Sequence, residues 1–285
     1  MAAISIYKSY SRITSHLMLA ACFACTIGVL AILALVLIYL THIGFASINT
    51  SFFRDLPTGI PASPGGMRHA IVGTGVLILF ASAVGAPLGI LAGIFLSEYS
   101  SKSPLAAPVR FTADVLMGVP SIVIGILGYE LLVVPLGHYN GWAGAMALAF
   151  IMIPIVTRTS EEMLRLVPRS YREASIALGA SRTRTIFKVV IPAATGGLIT
   201  SIMLAVARIA GETAPLLFTA LGSRLMTLDP NQPFPSLTVQ IYTYATGPYP
   251  EQKRLAWAGL LVLIMLILIV NTTVRIVTRR MRRHH

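Results

Sequence analysis

Six long apolar runs alternate with shorter polar stretches along this chain. Each run is continuous, whereas the strands of a membrane barrel alternate polar and apolar residues over about ten positions. A helix needs about 20 apolar residues to cross a bilayer core about 30 Å thick. We therefore predict an all-α polytopic membrane protein with six transmembrane helices, at residues 17–40, 70–96, 111–136, 142–157, 194–221 and 255–277.

The overall composition agrees with this pattern. Hydrophobic residues make up 55% of the 285 residues and charged residues 11%, where a soluble domain carries about 25% charged residues. This composition does not fit a water-soluble fold. Cys22 and Cys25 form a C-x-x-C pair, but they lie in the first apolar run without a second pair or a neighbouring histidine, so we interpret them as packing residues and predict no metal site.

The net charge of +12 is explained by where the basic residues fall. With a cytoplasmic N-terminus, the outer segments hold Arg54, Arg68, Arg224, Lys253 and Arg254, and Arg208 lies inside the fifth run. The other 16 of the 22 basic residues lie on the cytoplasmic side: Lys8, Arg12, Lys102, Arg110, Arg158, Arg165, Arg169, Arg172, Arg182, Arg184, Lys188, Arg275, Arg279, Arg280, Arg282 and Arg283. This asymmetry follows the positive-inside rule and predicts two cytoplasmic termini, with no binding of nucleic acid.

We expect three regions along the chain. Residues 1–41 form a cytoplasmic tail and a first helix, whose apolar run is too long for the core of a signal peptide. Residues 42–69 form an extracytoplasmic loop, because turn formers cluster at Pro61, Pro64, Gly65 and Gly66. Residues 70–285 form a core of five helices, which includes a long charged cytoplasmic loop at about 158–192.

Two small-residue features predict how the second and third helices pack. Gly85, Gly89 and Gly93 are four residues apart, so they share one face on which another helix backbone can approach closely. Pro120 lacks a backbone donor and should kink the third helix, and Ser121 can bond the freed carbonyl. Kinked helices line transport pathways and also occur in inert bundles, so both alternatives stay open for Pro120 and Ser121.

The cytoplasmic loop contains a short predicted helix. Ser170 and Glu173 match a capping box, in which two side chains bond the free amides at a helix start. Gly179 then supplies a left-handed helix end, which gives a helix over residues 171–178. Its surface is partly apolar, with Ala174, Ile176, Ala177 and Leu178.

The stretch ARIAGETAPLLFTA places Arg208 and Glu212 inside the fifth apolar run. A charged residue at the centre of a membrane helix costs about 2.5–3.5 kcal/mol on insertion scales. At i and i+4 of one helix the two side chains share a face and can form a pair that only fixes packing. Alternatively, the arginine fork binds two oxygens of an oxyanion, and the glutamate orients that fork or contacts the anion.

The loop EASIALGASRTRTIFKVVIPAA resembles the EAA loop of permeases of binding-protein-dependent ABC importers, with Ser175 where that pattern has its second Ala. The resemblance implies a type I importer (MetI-like) fold, in which a cytoplasmic coupling helix docks on an ATPase subunit. It implies coupling roles for Ser170, Glu173, Ala174, Leu178 and Gly179. The chain has no G-x-x-x-x-G-K-[ST] loop, so we expect it to be non-catalytic, with ATP hydrolysed by a separate subunit.

Further stretches are similar to phosphate-import permeases of the PstA type: PLGILAGIFLSEYSSKS, GVPSIVIGI, GWAGAMALA, PIVTRTSEEMLRLVP and LAWAGLLVL. This resemblance implies a bacterial inner-membrane complex with a PstC-type permease, two PstB-type ATPases that bind ATP and Mg, and an extracytoplasmic PstS-type receptor for inorganic phosphate. No cofactor is expected on this chain. The resemblance places Arg208, Glu212 and Thr213 on the phosphate pathway.

Two other functions remain open from the residues. A permease for a different oxyanion would share the fold and the loop. A secondary anion transporter, which works without ATP, would leave the EAA-like loop unexplained. A membrane enzyme is not expected, because the apolar runs contain no nucleophile with a neighbouring base and no metal-ligand cluster.

Overall fold

The computed structural model describes residues 2–60, 65–99 and 103–282, with side chains from residue 14 to residue 276 within those ranges. Pro61, Pro64, Lys102 and Arg283 of the sequence predictions lie outside the described residues, and the side chains of Lys8, Arg12, Arg279, Arg280 and Arg282 lie outside the described side chains. Thirteen α-helices occur in the described residues: α1 Ala2–Ala46, α2 Thr50–Arg54, α3 Arg68–Ile94, α4 Ala106–Gly118, α5 Ser121–Gly128, α6 Val134–Leu136, α7 Gly141–Arg165, α8 Arg169–Ala177, α9 Arg182–Thr185, α10 Ile191–Ala210, α11 Ala214–Thr219, α12 Leu237–Thr246 and α13 Pro250–Arg282.

The described residues also contain three π-helical segments that continue some of these helices: Phe95–Tyr99, Tyr129–Val133 and Ile186–Val190. The latter two come just before Pro135 and Pro192, which cannot donate to the carbonyl one turn back. A π-turn contains one residue more than an α-helical turn, and this wider turn lets the helix continue through the proline. The helix from Arg182 to Ala210 is therefore one continuous span.

The predicted all-α membrane fold is confirmed. Among the described residues, five helices are long and apolar enough to cross a membrane, and one bent pair makes a sixth candidate. The five are Thr14–Ala46, Arg68–Tyr99, Gly141–Arg165, Arg182–Ala210 and Pro250–Ile276, and the bent pair is Ala106–Gly118 with Ser121–Leu136. The fourth span ends eight residues later than the predicted residue 157, so its helix also carries Arg158 and Glu161.

The glycine stripe of α3 packs against α7, as the sequence predicts. A Cβ atom on Gly85 would lie 3.1 Å from Met152 Cβ, one on Gly89 would lie 2.6 Å from Val156 Cβ, and one on Gly93 would lie 2.8 Å from Ser160 Cβ. The three partners are also four residues apart, so two straight ridges face each other. This close approach of α3 and α7 forms the centre of the main core, with Leu77, Leu148 and Met152 fully buried.

The third span is broken at the predicted proline. Helix α4 ends at Gly118 and α5 starts at Ser121, and the two axes differ by 103°. Pro120 has an extended ψ of 133° and leads into α5 as its N-cap residue. The missing donor and the restricted residue before a proline explain why the helix stops here instead of bending gently.

The prediction of one continuous fifth helix over 194–221 is wrong. Helix α10 ends at Ala210, and residues 211–213 separate it from α11. The reason is Pro215, whose ring in a continuous helix would clash with the carbonyl of Gly211. At its actual place near the start of α11, Pro215 is tolerated because the first amides of a helix have no partner there.

The first span stands at the edge of the bundle. None of the apolar window of Thr14–Ala46 is buried. The helix contacts α13 near its C-terminal end, where Tyr39 meets Trp257 edge to face and Gly44 lies against Leu261. The described residues of the segment after it form more than a simple loop. It contains α2, capped by Asn49, and it buries Phe52 and Met67. The division of the chain into three regions stays a prediction.

Candidate functional site

Arg208 and Glu212 form an ion pair where α10 ends. Arg208 lies in the last turn of α10, and its Nη1 atom donates to Oε1 of Glu212, which lies beyond the helix. The two residues are therefore not on the continuous helical face that the sequence suggested. Glu212 is held by its backbone, since its amide donates to the Ile209 carbonyl and its carbonyl accepts from Oγ1 of Thr238 at 2.9 Å. The break in the helix fixes the carboxylate beside the guanidinium.

The two broken spans meet at this pair. Arg208 lines a small recess together with Val119 and Ser121 from the break in the third span, and with Ile151 and Ile155 from the middle of α7. Gly125 of α5 lies so close to α11 that a Cβ atom there would come within 2.9 Å of Pro215 Cα. The GVPSIVIG and GETAP stretches, about 90 residues apart in sequence, thus build one site.

The two charges of the pair differ in exposure. The Arg208 side chain is 57% exposed and the Glu212 side chain 5%. The carboxylate therefore lies behind the guanidinium, which presents its remaining N–H donors to the open side. The recess measures about 30 Å³ and is partly open. The recess covers only part of the Arg208 side chain, most of which is exposed.

The predicted cytoplasmic helix exists as α8, but the capping box is wrong. Helix α8 begins at Arg169 with Pro168 as its N-cap residue, so Ser170 lies within the first turn and makes no capping bond. Pro168 has a fixed φ of −57° and its carbonyl already accepts from the Tyr171 amide, so the helix begins one residue before Ser170. The proline determines the start.

The predicted end of this helix at Gly179 is confirmed. Gly179 has φ +83°, its amide donates to the Ile176 carbonyl at 2.9 Å, and the Ala180 amide donates to Ser175 at 3.2 Å. This pair of bonds is a Schellman motif, which needs a left-handed residue. The turn leaves Leu178 90% exposed and Ile176 54% exposed, so the end of α8 is an apolar surface that nothing in the described part of the chain covers.

Sequence reasoning missed how α8 is attached to the bundle. Arg172 donates to the carboxylate of Glu98, with Nη2 and Oε1 2.6 Å apart, and also to the carbonyls of Leu164 at 3.0 Å and Val167 at 2.7 Å. A second arginine, Arg182, donates to the Glu98 carbonyl and lies 4.6 Å over the Tyr99 ring. The signals in the sequence were a lone acidic residue, Glu98, at the end of an apolar run, and a separate loop rich in arginine at residues 158–184.

The family of the chain follows from comparison with known proteins. Residues 85–283 match the model of the family described as "Binding-protein-dependent transport system inner membrane component". This match includes both broken spans, the ion pair and α8. The chain belongs to this permease family. It is therefore a multi-pass membrane permease of a transport system.

Curated relatives of the permease are similar over most of its length. It is 44% identical to the phosphate transport system permease protein PstA of Yersinia pestis over 234 residues, 82% of this chain and 79% of that protein. It is 40% identical to the PstA of Pasteurella multocida over 265 residues, 93% of this chain and 94% of that protein. The PstA-type resemblance seen in the sequence is thus confirmed.

Solved structures support the fold of the permease. A chain of the MetNI methionine ABC transporter, in an inward-facing conformation, matches with a TM-score of 0.59 at 20% identity. The match covers 75% of this chain and 94% of that chain. At this identity the likeness concerns the fold, and it confirms the predicted MetI-like importer architecture.

The predicted site residues of the permease form two groups in the structure. Arg208, Glu212, Thr213, Pro120 and Ser121 gather at the two helix breaks, with Thr213 at the N-cap position of α11. Ser170, Glu173, Ala174, Leu178 and Gly179 lie together on or just after α8. All five of this second group are exposed. The fold therefore separates a site within the spans from a surface at one end of the bundle.

Proposed function

We propose that this chain is the permease subunit of an ATP-driven importer of inorganic phosphate and forms half of its translocation pathway by alternating access. The observation that carries the proposal is the Arg208–Glu212 pair in the recess between the two broken spans. The names of the PstA relatives support phosphate as the substrate. A permanently charged guanidinium within a membrane span costs free energy, and such residues are usually functional. The planar fork of Arg208 fits the oxygens of an oxyanion.

In this proposal Arg208 replaces part of the hydration shell that phosphate loses in the membrane. Its exposed N–H groups bind two phosphate oxygens, while Glu212 holds the guanidinium from behind and lowers its net charge. That arrangement keeps binding weak enough for release, which any pathway requires. Thr213, at the same break, offers a hydroxyl group to the anion. Ser121 lines the recess together with Arg208, and Pro120 creates the break that places it there.

A homologous PstC-type permease supplies the other wall, because the recess of this chain is too small and too open to enclose an anion. The complex is completed by two PstB-type ATPases and by an extracytoplasmic PstS-type receptor that delivers phosphate. ATP and Mg bind to the ATPases, and this chain binds no cofactor. The complex lies in the bacterial inner membrane, with both termini of this chain in the cytoplasm, as the distribution of basic residues indicates.

Helix α8 is the coupling helix of this proposal. Its exposed end, with Leu178 and Ile176, docks in a groove of one ATPase, and Ser170, Glu173 and Ala174 border the contact. When the ATPases close around ATP, they move α8 and the pathway opens to the outside. ATP hydrolysis and product release then return the pathway to its inward-open state. Because Arg172 joins α8 to the ends of α3 and α7, those helices follow the movement.

The test is uptake of labelled phosphate by the complete complex in liposomes. We expect uptake that needs ATP and the receptor. Strong competition by sulfate or molybdate, with weak uptake of phosphate itself, would instead indicate a permease for another oxyanion. Uptake that persists without ATP would indicate a secondary transporter and would contradict the proposal.

A further inference from the structure

A second charged cluster lies next to the recess, on the residues of α4 that precede it and on the residues of α7 that follow it. Glu161 of α7 is 1% exposed and binds three guanidinium groups, those of Arg110 at 2.6 Å, Arg165 at 2.6 Å and Arg158. Asp114 of α4 binds Arg158 at 2.7 Å. Three arginines face two carboxylates, so the cluster has one positive charge in excess.

The cluster continues the faces that form the recess. On α7, Arg158 comes one turn after Ile155 and two turns after Ile151, both of which line the recess of Arg208. On α4, Asp114 comes one turn before Met117, another lining residue, and Arg110 comes one turn before Asp114. Residues three, four and seven apart share a helical face. A row of residues on these two faces therefore leads from Arg208 past Arg158 and Arg110 to Arg165, about 15 Å from Ile155 along α7. We call this row the groove.

The arginines of this groove keep donors available. Their side chains are 23% exposed for Arg158, 30% for Arg110 and 54% for Arg165. Each guanidinium has five N–H donors, and the bonds to Glu161 and Asp114 use only some of them. The buried Glu161 holds the three groups in place from behind. Asp114 is different, since it is 46% exposed and binds Arg158 at the edge of the groove.

We propose that Arg158, Arg110 and Arg165 form a second binding site for the transported oxyanion, on its way from Arg208 to the cytoplasm, and that Asp114 competes with the anion for Arg158. The inference rests on the proposed direction and substrate of transport. A pathway with several moderate sites releases an ion faster than one with a single strong site. In that scheme Glu161 keeps the arginines in position, and Asp114 keeps the second site weak.

The test measures equilibrium binding of labelled inorganic phosphate to the purified nucleotide-free complex, without the receptor. All variants carry Arg208→Gln, so the central site is absent and the remaining binding concerns the groove. Asp114→Asn should tighten that binding roughly 3- to 10-fold, because one competing negative charge is removed beside Arg158. Arg158→Gln should abolish it. The control is Glu162→Gln, which removes a charge from an exposed neighbour of Glu161 and should change nothing.

Binding that is unchanged or weaker in the Asp114→Asn complex would overturn the inference and would make the network a structural brace between α4 and α7. Because this readout needs no transport, it differs from the uptake assay above. A wild-type complex that imports no phosphate would contradict the proposed function, whereas an unaltered affinity in Asp114→Asn contradicts only the second site.

Discussion

The carboxylate of Glu98 and the guanidinium of Arg172 lie 2.6 Å apart and join the end of α3 to α8. Both side chains are mostly buried, and the same guanidinium also binds the last carbonyls of α7. Since α3 and α7 are in close contact along the glycine stripe of α3, Arg172 connects α8 to a closely packed pair of spans. A movement imposed on α8 therefore reaches the helix that lines the Arg208 recess.

Glu98→Gln should separate ATP hydrolysis from uptake. Hydrogen bonds to a charged group contribute about 1.5–3 kcal/mol each, and the variant removes the charge while keeping the shape. We expect less phosphate transported per ATP hydrolysed by the reconstituted complex, with the ATPase subunits still bound. Glu162→Gln is the matched control, since Glu162 is exposed near the end of α7 to which Arg172 binds. An unchanged ratio in Glu98→Gln would show that the attachment is not needed for coupling.

Arg208→Gln should abolish uptake while the complex still assembles, because the exposed guanidinium makes one ion pair among the described side chains. Arg208→Lys keeps the charge but loses the planar fork, so it should retain only a small part of the activity. The measurements are initial uptake rates in liposomes and co-purification of the subunits. Near-normal uptake by Arg208→Gln would remove this residue from the pathway.

Glu212→Gln should leave partial uptake. The carboxylate is 5% exposed and lies behind Arg208, so the amide can still accept a bond from the guanidinium, though a weaker one. We expect a lower maximal rate than in the wild type and clearly more uptake than in Arg208→Gln. Complete loss in both variants would indicate that Glu212 contacts the anion itself.

Gly179→Ala should weaken binding of the ATPase subunit. Gly179 has φ +83°, where a side chain costs about 1–2 kcal/mol, and a shifted helix end would move the exposed Leu178. Gly137→Ala is a suitable control, because Gly137 has φ +73° and equally open surroundings at the end of α6. Both variants should lose similar stability, and only Gly179→Ala should co-purify with less ATPase. Equal loss of ATPase in both would point to general unfolding.

Gly89→Ala should destabilise the permease by about 1–3 kcal/mol, since its Cβ atom would lie 2.6 Å from Val156 Cβ in the contact of α3 with α7. Gly75→Ala, on the same helix, meets nothing within 4 Å and should be neutral or slightly stabilising. Thermal unfolding of the detergent-solubilised complex measures the difference. Similar midpoints for the two variants would contradict the tight helix contact.

The broad organisation was readable from the sequence, because local composition decides it. Length and apolarity of the runs predict membrane helices wherever the chain goes afterwards. The glycine stripe of α3 and the left-handed Gly179 were also correct, since each depends on the geometry of its own helix. The capping box at Ser170 was wrong because Pro168, two residues earlier, already started the helix.

The composition of the site was decided by the tertiary structure. The sequence identified Arg208 and Glu212 as costly charges, and placed them on one helix. Pro215 already explains why the helix stops between them. Only the fold shows that the break at Pro120 lies beside them and that Glu98 binds Arg172. Such contacts join residues 50–90 positions apart, and no local pattern records them. The physical reason is that a buried charge is stable only when it is paired, and which partner lies within reach depends on how the helices pack.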